Sequence, residues 1–130
     1  MRSVYDAIKT LLSLVPATRT SSGNGTGVDT MGYNSAVAVI IAGDIDLTTG
    51  DETYAFKVQE SADNSTFTDV TDATTTVTAD NNVKYIRVEG LGTSRERYLR
   101  VVATLGGTTP SWPGSAFFLL GNNYNEPVNS

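Results

Sequence analysis

Cysteine and histidine are both absent from this 130-residue chain. Without cysteine there are no disulfide staples, thiolate nucleophiles or Cys-based zinc sites. Without histidine there is no Ser–His–Asp triad. Long apolar runs are missing as well, and no stretch approaches the roughly 18 apolar residues of a membrane-spanning helix. Positive charge is scarce: nine Lys and Arg stand against fourteen Asp and Glu, for a net charge of −5. That balance argues against nucleic acid as a partner, because phosphate neutralisation supplies most of that affinity. No leader is predicted. Arg2 followed by Leu11, Leu12, Leu14 and Val15 has the outline of one, but Asp6 and Lys9 interrupt it and no small-x-small cleavage site follows. A cysteine-free chain without a leader fits a reducing cytoplasm. The sequons Asn24-Gly25-Thr26 and Asn64-Ser65-Thr66 are therefore read as turn residues.

What is present describes one domain with a distinct beginning. Val4, Ile8, Leu11, Leu12 and Val15 recur at helical spacing and predict a short amphipathic helix over residues 3–14, ended by Pro16. Residues 18–27 are rich in Gly, Ser and Thr, the composition of a flexible or extended segment. Residues 1–27 are thus expected to be an N-terminal arm that carries attachment rather than folding, and residues 28–130 the body.

The body has β periodicity. Ala36–Ala42 is an unbroken apolar run, as in a strand buried on both faces. Tyr54, Phe56 and Val58 alternate with Ala55, Lys57 and Gln59, and a turn at Asp63-Asn64-Ser65 makes Tyr54–Val70 a hairpin. Further strands are predicted at Thr74–Thr78, Val83–Val88, Tyr98–Leu105 and Ser115–Leu120. Seven or eight short strands with polar turns predict an all-β antiparallel sandwich, and jelly-roll and immunoglobulin-like topologies both fit. The expected core is Val37, Val39, Ile41, Phe56, Val58, Ile86, Val88, Leu99, Val101, Phe117 and Leu119.

Candidate sites are few. Asp44, Asp46, Asp51 and Glu52 surround one loop, where carboxylates can bind calcium or, as a pair, hydrolyse a glycoside. The spacing does not follow the twelve-residue calcium-loop pattern, and nothing marks one carboxylate as buried, so no metal, cofactor or enzymatic activity is expected. Charge is uneven: residues 1–80 carry four basic and eleven acidic side chains, and residues 81–130 five basic and three acidic. Arg95-Glu96-Arg97 is either locally paired or a contact to an acidic neighbour. Trp112, the only Trp, lies between Pro110 and Pro113 and serves either as a core residue or as an interface anchor. The candidate contact residues are Val4, Ile8, Leu11, Leu12, Val15, Arg19, Arg95, Arg97 and Trp112.

Several stretches carry a resemblance. Leu14-Val15-Pro16-Ala17-Thr18-Arg19-Thr20 leads to Asn24-Gly25-Thr26-Gly27-Val28-Asp29 and Gly32-Tyr33-Asn34-Ser35-Ala36. Val58 to Val70, then Arg97-Tyr98-Leu99-Arg100-Val101-Val102, Thr108-Thr109-Pro110 and Leu119-Leu120-Gly121 follow. In this order the chain resembles the small proteins of tailed bacteriophages encoded beside the major capsid protein. Members with an assigned role are capsid cement, or decoration, proteins, and several are jelly rolls. The resemblance implies a jelly roll, a place on the virion capsid surface after assembly in the bacterial host cytoplasm, and two partners: the major capsid protein and further copies of the chain, as a dimer or trimer. It supplies no catalytic residues. The alternatives are another virion component, such as a head-fibre base or tail protein binding a host surface or glycan, and, from a different class, a glycan-active enzyme.

Overall fold

The computed structural model describes residues 3–123. A single helical turn, α1 (Val4–Ala7), is capped by Ser3, whose Oγ accepts a bond from the Asp6 amide. It runs directly into β1 (Ile8–Arg19), followed by β2 (Gly23–Asn24), β3 (Val28–Asp29), β4 (Tyr33–Ala42) and β5 (Thr53–Ser61). Then come β6 (Thr68–Thr76), β7 (Asn82–Val88), β8 (Tyr98–Gly106) and β9 (Trp112–Asn123). Two antiparallel sheets result, in the orders β1-β9-β4-β7 and β2-β8-β5-β6, with β3 also pairing with β8. The expected all-β sandwich is the fold of the chain.

The predicted hairpin forms between β5 and β6. The Asp63 carboxylate accepts the Ser65 and Thr66 amides, and Asn64 takes the left-handed conformation at φ 60° that the turn needs. The second sequon is therefore a turn, whereas Asn24 lies in β2. The return strand of that hairpin, ending at Val70, and the strand expected at Thr74–Thr78 are one strand, β6. Lys57 pairs with Thr74 and Gln59 with Asp69, so β6 accommodates extra residues, with Asp72 at φ 64°.

The helix expected over residues 3–14 is limited to residues 4–7. The remainder is an edge strand paired with β9 from Ile8 opposite Gly121 to Arg19 opposite Trp112. Pairing satisfies backbone groups along twelve residues, which a short isolated helix in water cannot match. Two register shifts, between Leu12 and Leu14 and between Leu14 and Ala17, break the period-two pattern that marks a strand. Pro16 sits in the second shift on an edge strand, where its missing amide costs no ladder bond. The N-terminal segment is consequently part of the body. Leu14 is buried in the core, and Ser13 is buried at the first bulge.

Ser13 joins the two sheets. Its Oγ accepts the Val101 amide of β8 at 3.0 Å and donates to the Thr26 carbonyl at 2.9 Å. The Thr26 amide donates to the Ser13 carbonyl, and the Gly25 amide to the Val101 carbonyl, both at 2.7 Å. Gly25 is threaded so closely between β1 and β8 that a Cβ would collide with Ser13 Oγ and the Val101 carbonyl.

The interior is filled by Tyr54, Phe56 and Val58 of β5, Leu99, Val101 and Ala103 of β8, and Trp112, Ala116, Phe118 and Leu120 of β9. Ile86 and Val88 of β7 complete it, with Ala36, Ala38, Ile40 and Ala42 of β4. Phe56, Val58, Ile86, Val88, Leu99 and Val101 occupy the core as expected. The expected core positions Val37, Ile41, Phe117 and Leu119 do not, because β4 and β9 turn the opposite parity inward; Val39 has that outer parity but is buried, at 5% exposure. β4 contributes three alanines to the interior because Trp112, Phe56, Tyr54 and Phe118 claim the volume there. Trp112 is fully buried, edge-on to Phe56 with ring centroids 4.8 Å apart, and its Nε1 donates to the Ile41 carbonyl at 3.1 Å. Gly114 leaves the space for that bond, since a Cβ there would meet both the Ile41 carbonyl and the indole nitrogen.

Two outcomes follow from this arrangement. Deleting residues 1–27 removes an edge strand and uncovers β9, so the truncated chain is expected to lose its cooperative thermal transition; a cooperative melt with unchanged β-type circular dichroism would show that β1 is dispensable. Ser13→Ala leaves the buried Val101 amide without its acceptor and is expected to cost about 1–3 kcal/mol in urea denaturation; a change near zero would remove Ser13 from the junction.

Candidate functional site

The two sheets differ in what they show to the outside. On the β2-β8-β5-β6 sheet the outward rows are polar: Thr104, Ala55 and Thr76; Val102, Lys57 and Thr74; Arg100, Gln59 and Asp69. Gln59 binds both Arg100 and Asp69, and Lys57 pairs with Asp69 at 3.0 Å. A solvated antiparallel sheet face normally has this character.

The β1-β9-β4-β7 sheet is apolar on both sides. In register, its central outward row is Leu12, Phe117, Val39 and Tyr85. Beside it lie Thr10, Leu119, Val37 and Arg87 on one side, and Ser115, Ile41 and Val83 on the other. Tyr85 is 65% exposed, Leu12 49%, Val83 47% and Ile41 39%. Towards the start of β1, Ile8, Val37, Leu119 and Gly121 line a shallow depression of about 270 Å³. No Asp or Glu lies in these rows, although the chain holds fourteen. A contiguous exposed apolar face of this kind marks an interaction surface.

This face sorts the residues expected to make contacts. Ile8 and Leu12 belong to it, Val15 is exposed farther along β1, and Val4 is exposed on the preceding turn. Leu11 instead packs, partly buried, against the core, and Trp112 is wholly buried, with no surface left for a partner. Arg19 lies over the Trp112 ring at 5.4 Å. Arg95 and Arg97 stand at the opposite end of the sandwich and are locally paired. Arg97 grips Asp29 through two bonds of 2.9 and 2.7 Å, and Arg95 approaches Glu60 at 3.5 Å. Both line a cleft of about 290 Å³ with Thr30, Tyr33 and Thr93. The residues missed as members of this outer face, Val37, Ile41, Val83, Tyr85, Phe117 and Leu119 around the buried Val39, had one visible signal. The run Ala36–Ala42 is apolar at both parities, and among the described residues only its inner face is covered by the opposite sheet.

The acidic loop closes turns. Asp46 accepts the Thr48 hydroxyl and amide, Asp51 the Thr108 amide and hydroxyl, and Glu52 the Thr49 and Gly50 amides. Asp80 accepts the Ile45 amide at 2.9 Å. Among the described residues no three carboxylates converge on a metal-sized site. No protein-family model matches the sequence, and comparison with curated proteins finds no match.

These bonds set the acid response. The Thr48 hydroxyl and amide hold Asp46 below the ordinary carboxylate value, the Thr108 amide and hydroxyl do so for Asp51, and bonds from Thr49 and Gly50 for Glu52. Arg97 lowers Asp29, the Thr66 amide and Ser61 hydroxyl lower Asp63, and Gln59 and Lys57 lower Asp69. A carboxyl whose folded pKa is depressed stabilises the fold above its unfolded value and ceases to do so as pH falls through the folded one. The melting temperature is expected to stay level from about pH 7 to 5 and to fall steadily below about pH 4. Calorimetry across that range checks it; a melting temperature that rises on acidification would contradict the assignment.

Proposed function

We propose that the chain is a structural protein of a tailed-phage virion that binds the outer surface of the capsid and stabilises the shell. The observation that carries this reading is the acid-free apolar face on an otherwise acidic, self-contained sandwich. The face suits the protein to assembly with other proteins of a particle, further copies of the chain included, while its net charge of −5 favours solubility before assembly. The resemblance of the chain to small proteins encoded beside the major capsid protein supports the same reading. So does the strand order. Taking β2 and β3 as one interrupted strand beside β8 gives eight strands among the described residues, and of these β5–β6 is the only consecutive pair that are neighbours in one sheet. Every other connection crosses between sheets, which supports a jelly roll over an immunoglobulin-like sandwich built from in-sheet hairpins.

Cement works by repetition: many modest contacts on a symmetric lattice combine into a stiff shell without strong binding at any one site. Purified protein added to parent capsids that lack it is expected to saturate at a copy number fixed by capsid symmetry and to raise the temperature at which the shell breaks. Absence of binding, or binding without added shell stability, would overturn the reading. A location on the tail or at a fibre base in an electron-microscopy map would assign the chain to the other class of virion component.

A further inference from the structure

We propose that the outer face of the β1-β9-β4-β7 sheet is the seat of a second copy of this chain, the two packing sheet on sheet about a two-fold axis. The proposal deepens the reading of this face as a docking surface, but its test needs no capsid.

Shape favours a like partner. β-Sheets twist with one hand, and two sheets of matching twist pack face to face about 10 Å apart at about −30°. A second copy presents the same four-stranded face and is twist-matched without adjustment. One flat patch that meets itself is an isologous contact, which closes as a dimer; a trimer needs two different patches.

Charge favours it too. The one charged residue in the outward rows is Arg87 on the edge strand β7, and it pairs with Glu89 at 3.3 Å. Its side chain is 81% exposed, so it can remain in water at the rim. Joining two such faces buries no carboxylate, even though each body carries −5.

Area sets the strength. Four strands about 4.8 Å apart, with outward side chains about 6.8 Å apart along each, give a face of roughly 20 by 27 Å. A pair of such faces buries on the order of 1,000 Å², enough for a specific contact but short of the roughly 1,600 Å² of a standard one. The dimer is therefore reversible. It forms as concentration rises, as it does when copies gather on a lattice.

Sedimentation velocity on the purified chain, from micromolar to near-millimolar concentration and in low and high salt, tests this. The expected result is a monomer–dimer equilibrium that strengthens with salt, because screening relieves the repulsion of two acidic bodies. Tyr85→Lys and Leu12→Lys, on the two edge strands of the face, are each expected to weaken dimerisation at least tenfold with little change in melting temperature. Thr74→Lys, on the polar sheet, is expected to leave dimerisation unchanged. A chain that stays monomeric throughout would overturn the proposal, as would a dimer indifferent to both face variants or one that salt dissociates. A monomer that binds capsids through this face would assign the face to the shell and leave the functional reading standing. A face-dependent dimer that ignores capsids would do the reverse.

Discussion

The bulge at Ser13 is the constraint on which the rest of the sandwich depends. One extra residue in β1 lets Leu12 face outward and Leu14 inward within three positions. It also turns the Ser13 hydroxyl across the gap between sheets, where it meets Val101 and Thr26. A sandwich is held chiefly by non-directional apolar contact, which resists sliding poorly. Directed bonds between β1 and β8 fix how one sheet lies over the other, and Gly25 lets the backbones approach closely enough to make them.

The same strand explains where the sequence misleads. Ile8, Leu11, Leu12 and Val15 have helical spacing because β1 is apolar on both faces and bulged, so it has no clean alternation left. The error over residues 3–14 and the missed surface thus share one cause. In β4 the parity was inverted for a related reason: size is not burial. Val37 and Ile41 are larger than Ala36, Ala38 and Ala42, but the interior already holds Trp112, Tyr54 and Phe56 and takes alanine at three of its four β4 positions, with Ile40 at the fourth.

Other parts were legible because their signals are local. The β5–β6 hairpin announces itself through Asp63-Asn64-Ser65, whose side chain and backbone preferences shape the turn without help from elsewhere. The alternation in β7 and β8 placed Ile86, Val88, Leu99 and Val101 correctly because β8 has a clearly apolar inner row and β7 ends in one, after Asn82 and Lys84. The position of Trp112 was not readable, since Pro-flanked turns and strand ends share a composition. Only the carbonyl of Ile41, distant in sequence, decides where the indole points. The roles of Arg95 and Arg97 were likewise set by partners far along the chain, Glu60 and Asp29.

The burial of Trp112 gives the molecule an internal reporter. As the single indole, packed on Phe56 beneath Arg19, it senses the interior and has no surface exposed to a partner. Tyr85 stands on the opposite side of the same sheet and senses what covers it. Excited beyond the tyrosine absorption, the single indole separates two events that hydrodynamics alone merges: opening of the sandwich, which changes its emission, and departure of a neighbour from the outer face, to which it is silent.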